Sequence, residues 1–223
     1  MKRWSRLRGP AIRVLGALLL PTLAHAAPIA RGDLVALCAE AEDQAQCGRL
    51  VEARQLKSLS RIAERNGDEL RVSLAPFGLS VFHDTVNIRG ARTYAVWDYL
   101  ENVDTLVLFT TVGERTGFLL VQRRTGDEYR VPSEPVMAPD DGHFVTADVC
   151  AQQCDNEVAV WRIAKDGVRK EAAWTPPPTW SDVSVTWRTA GAIVLEYSVA
   201  GESRPRSIEY RLDDPSWKKV PAK

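Results

Sequence analysis

The chain has 223 residues, 45% of them hydrophobic, 26% charged and 8% aromatic, with 29 basic residues against 29 acidic ones. This composition excludes a disordered, collagenous or polytopic membrane protein. No basic run gives it an electrostatic footprint for nucleic acid.

Residues 1–26 carry Lys2, Arg3, Arg6, Arg8 and Arg13, no acid, a short apolar run and the small-x-small ending Ala24-His25-Ala26. The pattern reads as a secretory signal peptide cleaved before Ala27. As a membrane anchor the apolar run is too short, about a dozen residues with Pro21 inside it against the ~20 of a spanning helix. Cleavage removes five basic residues and no acid, which leaves 24 basic against 29 acidic side chains, a charge near −5. The expectation is a periplasmic or secreted protein with no membrane insertion after cleavage.

Cys38, Cys47, Cys150 and Cys154 all lie in the exported part. An even count in an oxidising compartment suggests disulfides. Of the three pairings, proximity favours Cys38–Cys47 and Cys150–Cys154. A zinc site is the competing reading, but Cys150-Ala-Gln-Gln-Cys154 has no second pair of cysteines or histidines to complete it. No metal and no cofactor is expected.

Residues 33 to 65 hold no proline and repeat apolar residues at Leu34, Leu37 and Ala41, then at Leu50, Ala53, Leu56, Leu59, Ile62 and Ala63. These spacings are helical. One continuous helix would hold Cys38 and Cys47 ~13 Å apart at ~1.5 Å per residue, too far for a disulfide. The reading is a short helix, a break near Glu42-Asp43, and a longer helix stopped by Asn66-Gly67. Residues 27–66 thus form an N-terminal helical segment.

From Leu70 the period falls to two, and residues 67–223 read as strands and turns. Strand-like runs cover Leu70–Leu74, Leu79–Phe82, Thr93–Leu100, Thr105–Val112, Gly117–Arg124, Asp127–Val131, His143–Val149, Glu157–Ala164, Val168–Trp174, Val183–Arg188, Ala192–Val199 and Ser207–Leu212. Three segments, starting at Tyr94, Pro135 and Val183, lay over one another, with Arg123, Arg162 and Arg211 near the end of the third strand of each. The copies occupy about residues 94–133, 135–176 and 183–222. Units of roughly 40 to 48 residues with four strands have the size of a propeller blade.

The middle copy resembles TolB-like and WD-repeat propeller blades. Its Pro135-x-x-Ala138-Pro139-Asp140-Asp141-Gly142-x-Phe144-Val145 is similar to their P-x-x-S-P-D-G-x-x-I turn, and Val158-Ala159-Val160-Trp161 to their third strand. The resemblance covers about residues 94–220. Ala138 replaces the serine, Asp141 is extra, and the other copies lack the Pro-Asp-Gly turn. The resemblance implies a mainly β, propeller-like array of three four-stranded antiparallel meanders, with a partial fourth from the strands at Leu70 and Leu79. Three blades fall short of the four to eight that close a ring. The array then stays open, or packs as a twisted stack or sandwich.

Candidate chemistry is thin. His83 with Ser80 and Asp84 makes no triad, since adjacent strand residues point to opposite faces, and no Gly-x-Ser-x-Gly elbow exists. Asp98, Glu101 and Asp104 cluster in one loop, and Asp140 and Asp141 in another. A calcium site or a glycosidase pair would use such groups, while hairpin turns prefer aspartate for local capping. Trp174-Thr-Pro-Pro-Pro-Thr-Trp180 is an extended link whose tryptophans offer a binding surface or tuck against the sheets. A loop stapled by Cys150–Cys154 would present Gln152, Gln153, Asp155 and Asn156 in one shape.

The expected function is non-enzymatic. It is a protein-binding module of the cell envelope acting through blade loops, as the resemblance to TolB-like propellers implies, or more narrowly an inhibitor or immunity protein. The alternative is a hydrolase or lyase acting on envelope glycans, with Asp98, Glu101 or Asp140 as acids. A concave pocket of converging carboxylates would favour the enzyme, and a protruding patch with exposed aromatics the binding module.

Overall fold

The computed structural model describes residues 29–87, 90–150 and 154–220, so the expected signal peptide lies outside the described residues. Among the described residues, helix α1 (Arg31–Cys38) and helix α2 (Gln44–Leu59) are followed by sixteen strands in four antiparallel sheets. No helix among the described residues is long and apolar enough to cross a membrane.

The helices are broken where the cysteines require it. Cys38 and Cys47 are disulfide-bonded with their Cα atoms 4.8 Å apart. Asp43 restarts the chain as the N-cap of α2, its side chain accepting from the Gln46 amide at 2.7 Å, which satisfies one of the orphan donors of the first turn. The second helix ends earlier than its periodicity suggests. Ala63–Asn66 is a strand, β1, and Asn66-Gly67 opens a two-residue hairpin to β2 (Glu69–Ser73) instead of stopping a helix. Gly67, at φ 61°, occupies the first loop position, where such hairpins want a glycine.

Sheet A is completed by β3 (Leu79–His83), so the strands at Leu70 and Leu79 belong to a three-stranded unit. Sheet B is a meander of β4 (Thr85–Asn87), β5 (Gly90–Leu100), β6 (Thr105–Val112), β7 (Arg115–Gln122) and β8 (Glu128–Val131). Sheet C contains β9 (Val136–Met137), β10 (His143–Asp148), β11 (Glu157–Ala164) and β12 (Gly167–Trp174). Sheet D contains β13 (Trp180–Thr189), β14 (Ala192–Val199) and β15 (Arg206–Arg211).

The fold is therefore mainly β, and among the described residues each copy supplies four strands, but the copies do not each form a four-stranded sheet of their own. Sheet B has five strands and sheet D three, and the last strand of the chain, β16 (Lys218–Lys219), pairs with β12 of sheet C. Trp217 explains the exchange. It is 4% exposed and packed among side chains of sheets C and D, so the residues that follow emerge beside the edge of sheet C. The aligned arginines also differ. Arg123 bonds Asp104 and the Ser73 carbonyl, Arg162 is exposed, and Arg211 is exposed and pairs with Asp213.

Three apolar clusters order the sheets as layers. Leu59 of α2 and Leu70, Val72 and Phe82 of sheet A pack on Val96, Leu106, Leu108, Leu119 and Val121 of sheet B. The opposite face of sheet B, with Val107, Phe109, Phe118 and Leu120, packs on Phe144, Ile163 and Val168 of sheet C. Val145, Val158 and Val160 on the far side of sheet C meet Val185, Ile193 and Leu195 of sheet D. Two-sided burial explains why Thr105–Val112 is a nearly continuous buried run where a half-exposed strand would alternate.

Candidate functional site

The inward edge of sheet B is unusual. Strand β4 pairs with the beginning of β5, from Arg92 to Gly90, and among the described residues the rest of that edge has no strand neighbour. Side chains take the neighbour's place. The Asp84 carboxylate accepts from the Tyr94 amide at 2.9 Å, Glu52 accepts from the Val96 amide at 3.0 Å, and Gln55 donates to the Trp97 carbonyl at 2.7 Å. Helix α2 thus covers a sheet edge with polar groups aimed at its backbone. Glu52, 3% exposed, is neutralised by a two-pronged bond from Arg65 at 2.8 Å on each oxygen and by Arg49 at 2.9 Å.

Beyond Trp97 the cover ends and a groove of about 870 Å³ opens. A bulge between Val96 and Asp98 sets its chemistry. Without the extra residue, Asp98 would share the face of Val96 and enter the apolar layer between sheets A and B. With it, Asp98 sits opposite Val107 and faces the side of sheet C. The groove is walled by the end of β5 and the turn after it, by the connector to β9, by β13 and by α1. Tyr94, Pro135 and Val183 open the three sequence copies, so the first strand of each copy borders the same space.

Its walls are aliphatic, with Leu34, Val35, Leu100, Met137, Val183 and Val185, and its charge is acidic, with Asp98, Glu101, Glu134 and Asp141. No Lys, Arg or His is among the described residues that line it. Trp97 donates from Nε1 to Glu134 at 2.8 Å, and Asn102 donates to Asp141 at 2.7 Å, tying the turn after β5 to the turn before β10. Burial, with Glu134 adding a like charge, holds the Asp98 carboxyl above the usual aspartate range, although the Tyr99 amide bonds it at 2.8 Å. The Ser133 hydroxyl oxygen at the wall is buried and has no hydrogen-bond partner.

The residues singled out from sequence scatter. Asp98, Glu101 and Asp141 reach the groove. Asp104, left-handed at φ 48°, is consumed by Tyr99 at 2.8 Å and Arg123 at 2.6 Å. Asp140 does not line the groove. Partial burial acts to raise its pKa, but bonds from His143 and from the Gly142 and His143 amides outweigh that and hold it below the ordinary value. His83 is exposed, and Asp84 serves Arg49 and Tyr94, so Ser80, His83 and Asp84 form no relay.

Trp174 and Trp180 meet edge to face at 5.5 Å, with Trp174 against Tyr210 and Trp180 stacked on Tyr197. They lie in the aromatic margin of the layer between sheets C and D, outside the groove. Cys150 and Cys154 are disulfide-bonded. Gln152 and Gln153 lie outside the described residues, Asp155 is exposed with its amide bonded to Asp148 at 2.8 Å, and Asn156 turns the chain at φ 50°. No group of three or more His, Cys, Asp or Glu suited to a metal occurs among the described residues.

Comparison with known proteins finds no matching family model and no matching curated relative. Glu134 and the edge of β13 are the parts of the groove that sequence reading missed. The acid stands alone between a strand end and a proline, and nothing in one sequence tells which strand edge stays uncovered.

Proposed function

We propose that the protein is an exported, non-enzymatic binding module that holds its partner in the groove bordered by β5, β9 and β13. The observation that carries this reading is the convergence of the first strand of each sequence copy on one concave, aliphatic and acidic space. We take sheets B, C and D as three blades of an open, propeller-type array, with the groove where inner strands would meet. Two disulfides support export to an oxidising compartment, and the basic, then apolar N-terminus supports a periplasmic or secreted destination. The groove takes the place of the Cys150–Cys154 loop as the principal contact, because it combines depth, apolar wall and charge.

The test is capture from a cell-envelope extract by three immobilised proteins: wild type, Ser184→Trp to fill the groove, and the double loop variant Asp155→Ala, Asn156→Ala. Wild type and loop variant should retain a common protein that Ser184→Trp loses while keeping its melting temperature. Equal capture by all three would sink the groove as the binding site.

A second reading is favoured by one observation. Asp98, with its raised pKa, stands near Glu134 as the acid of a glycan-cleaving pair would. Against it, no tryptophan is among the described residues that line the groove, where one would stack on a sugar ring. Release of reducing ends from purified peptidoglycan by wild type, abolished in Asp98→Asn, would establish catalysis in place of binding.

A further inference from the structure

Four consecutive residues of β13, Val183 to Thr186, line the groove. A strand that offered one face would contribute only alternate residues, so β13 turns its edge to the groove. Strand β13 is one of the two edge strands of sheet D, whose order is β13-β14-β15. Among the described residues, no backbone group from Val183 to Thr186 bonds outside the ladder with β14. The contrast with β5 is sharp, since α2 aims Glu52 and Gln55 at that strand's open edge. Register shifts bound the regular part of β13, one between Ser181 and Ser184 and one between Trp187 and Thr189. The undistorted run is Ser184 to Trp187, and its residues Ser184, Val185 and Thr186 line the groove, enough for a short peptide to pair with.

We propose that the groove accepts an extended peptide segment of a partner protein, which adds as a strand to the free edge of β13 and places a lysine or arginine side chain between Asp98 and Glu134. This rests on the binding-module reading and specifies its ligand. The charge is complementary, because Asp98 and Glu134 face the groove and no Lys, Arg or His is among the described residues that line it. The aliphatic side chains of Val35, Leu100 and Met137 receive the apolar residues that flank a cation in an extended peptide. The Ser133 hydroxyl, buried and unpartnered, supplies a further acceptor for the ammonium. Burial of Asp98 makes its charge costly when alone and a cation beside it more effective.

The test is calorimetric titration of the full exported chain with the capped peptide Val-Thr-Val-Lys-Val-Thr, and with the same peptide carrying Glu for Lys. The lysine peptide should bind, and the glutamate peptide and the Asp98→Asn protein should each lose about tenfold or more in affinity. N-methylation of one alternate set of peptide amides should abolish binding, and methylation of the other set should spare it, as single-edge pairing requires. Equal binding of both peptides, indifference to N-methylation, or no binding overturns the proposal. Its failure stays separable from that of the binding-module reading: a partner still captured by wild type and lost in Ser184→Trp would keep the groove and discard the basic peptide. A dimer in sedimentation that Ser184→Trp disperses would identify a second copy as the occupant and likewise overturn it.

Discussion

Asp98 and Asp140 are two aspartates of one sequence pushed in opposite directions by their surroundings. The Asp98 carboxyl is raised by burial, with the Glu134 charge reinforcing it. An acid whose folded pKa exceeds its unfolded one binds protons more readily when folded. Its contribution to stability therefore falls as pH rises from the ordinary aspartate value through the raised one, and stays reduced above it. Asp98→Asn should accordingly raise the melting temperature at pH 7 by ~1–3 °C, with the gain vanishing in acid below the ordinary aspartate range. A fall in melting temperature at pH 7 would show that the carboxylate is a structural partner. Asp140 is lowered by its bonds from His143 and Gly142, against the opposing effect of burial. Its stabilisation is present above the ordinary value and lost as pH falls through the folded one. Asp140→Ala should cost ~1 kcal/mol in denaturant unfolding at neutral pH through loss of the turn bonds.

Among the elements, α2 is the one whose role exceeds its appearance in the sequence. Its periodicity announces a helix, but Glu52 and Gln55 look like two polar surface residues until β5 is placed beside them. Both are 3% exposed and bonded to the strand's backbone. Glu52→Gln leaves Arg65 and Arg49 under-compensated and should cost about 3 kcal/mol or more, read by chemical denaturation; a cost within experimental error would contradict the edge-covering role. Gly48 lets the helix approach closely, since a Cβ there would lie 2.8 Å from the Phe109 ring. That ring is fixed by Trp97 and Phe118 at 5.2 and 5.4 Å. Gly48→Ala should destabilise by about 1–2 kcal/mol despite alanine's better helix propensity, because the overpacked ring has no room to give. The strands were legible for a simple reason. Thr105–Val112, Glu157–Ala164 and Ala192–Val199 carry apolar runs bounded by turn residues, and the structure begins and ends them at those residues. The helix end was not, because Asn66-Gly67 serves equally as a helix stop and as a hairpin turn, and only pairing of Ala63–Asn66 with β2 decides between them. The groove was half legible. Asp98, Glu101 and Asp141 stand out as loop acids, but their meeting with Glu134 depends on a bulge and a layer order that no local pattern encodes.

At the scale of the molecule, layers that touch only their neighbours make stability a sum of local interfaces. Among the described residues, sheets B and C are covered on both faces, whereas sheet D packs only on sheet C, and its edge strand β15 is exposed along nearly its whole length. Sheet D is therefore the layer most ready to open, and the chain secures it from its C-terminus. Trp217 fills the layer between C and D and donates from Nε1 to the Arg211 carbonyl at 3.0 Å. The next two residues then join the edge of sheet C, and the Val220 amide bonds the Glu171 carbonyl at 2.9 Å. A side chain so placed stabilises the C–D interface and the strap together, so Trp217→Ala should cost ~3–5 kcal/mol. The loss should be local. Hydrogen exchange should show amides of β13–β15 losing protection while those of β6 and β7 keep theirs, since their two faces remain covered. Because β13 is also a wall of the groove, the variant should weaken capture of the partner proposed for that groove at temperatures where the rest of the protein stays folded. Uniform loss of exchange protection across sheets B, C and D would instead show that the layers unfold as one unit, and that the C-terminal strap stabilises the whole stack and not its last layer alone.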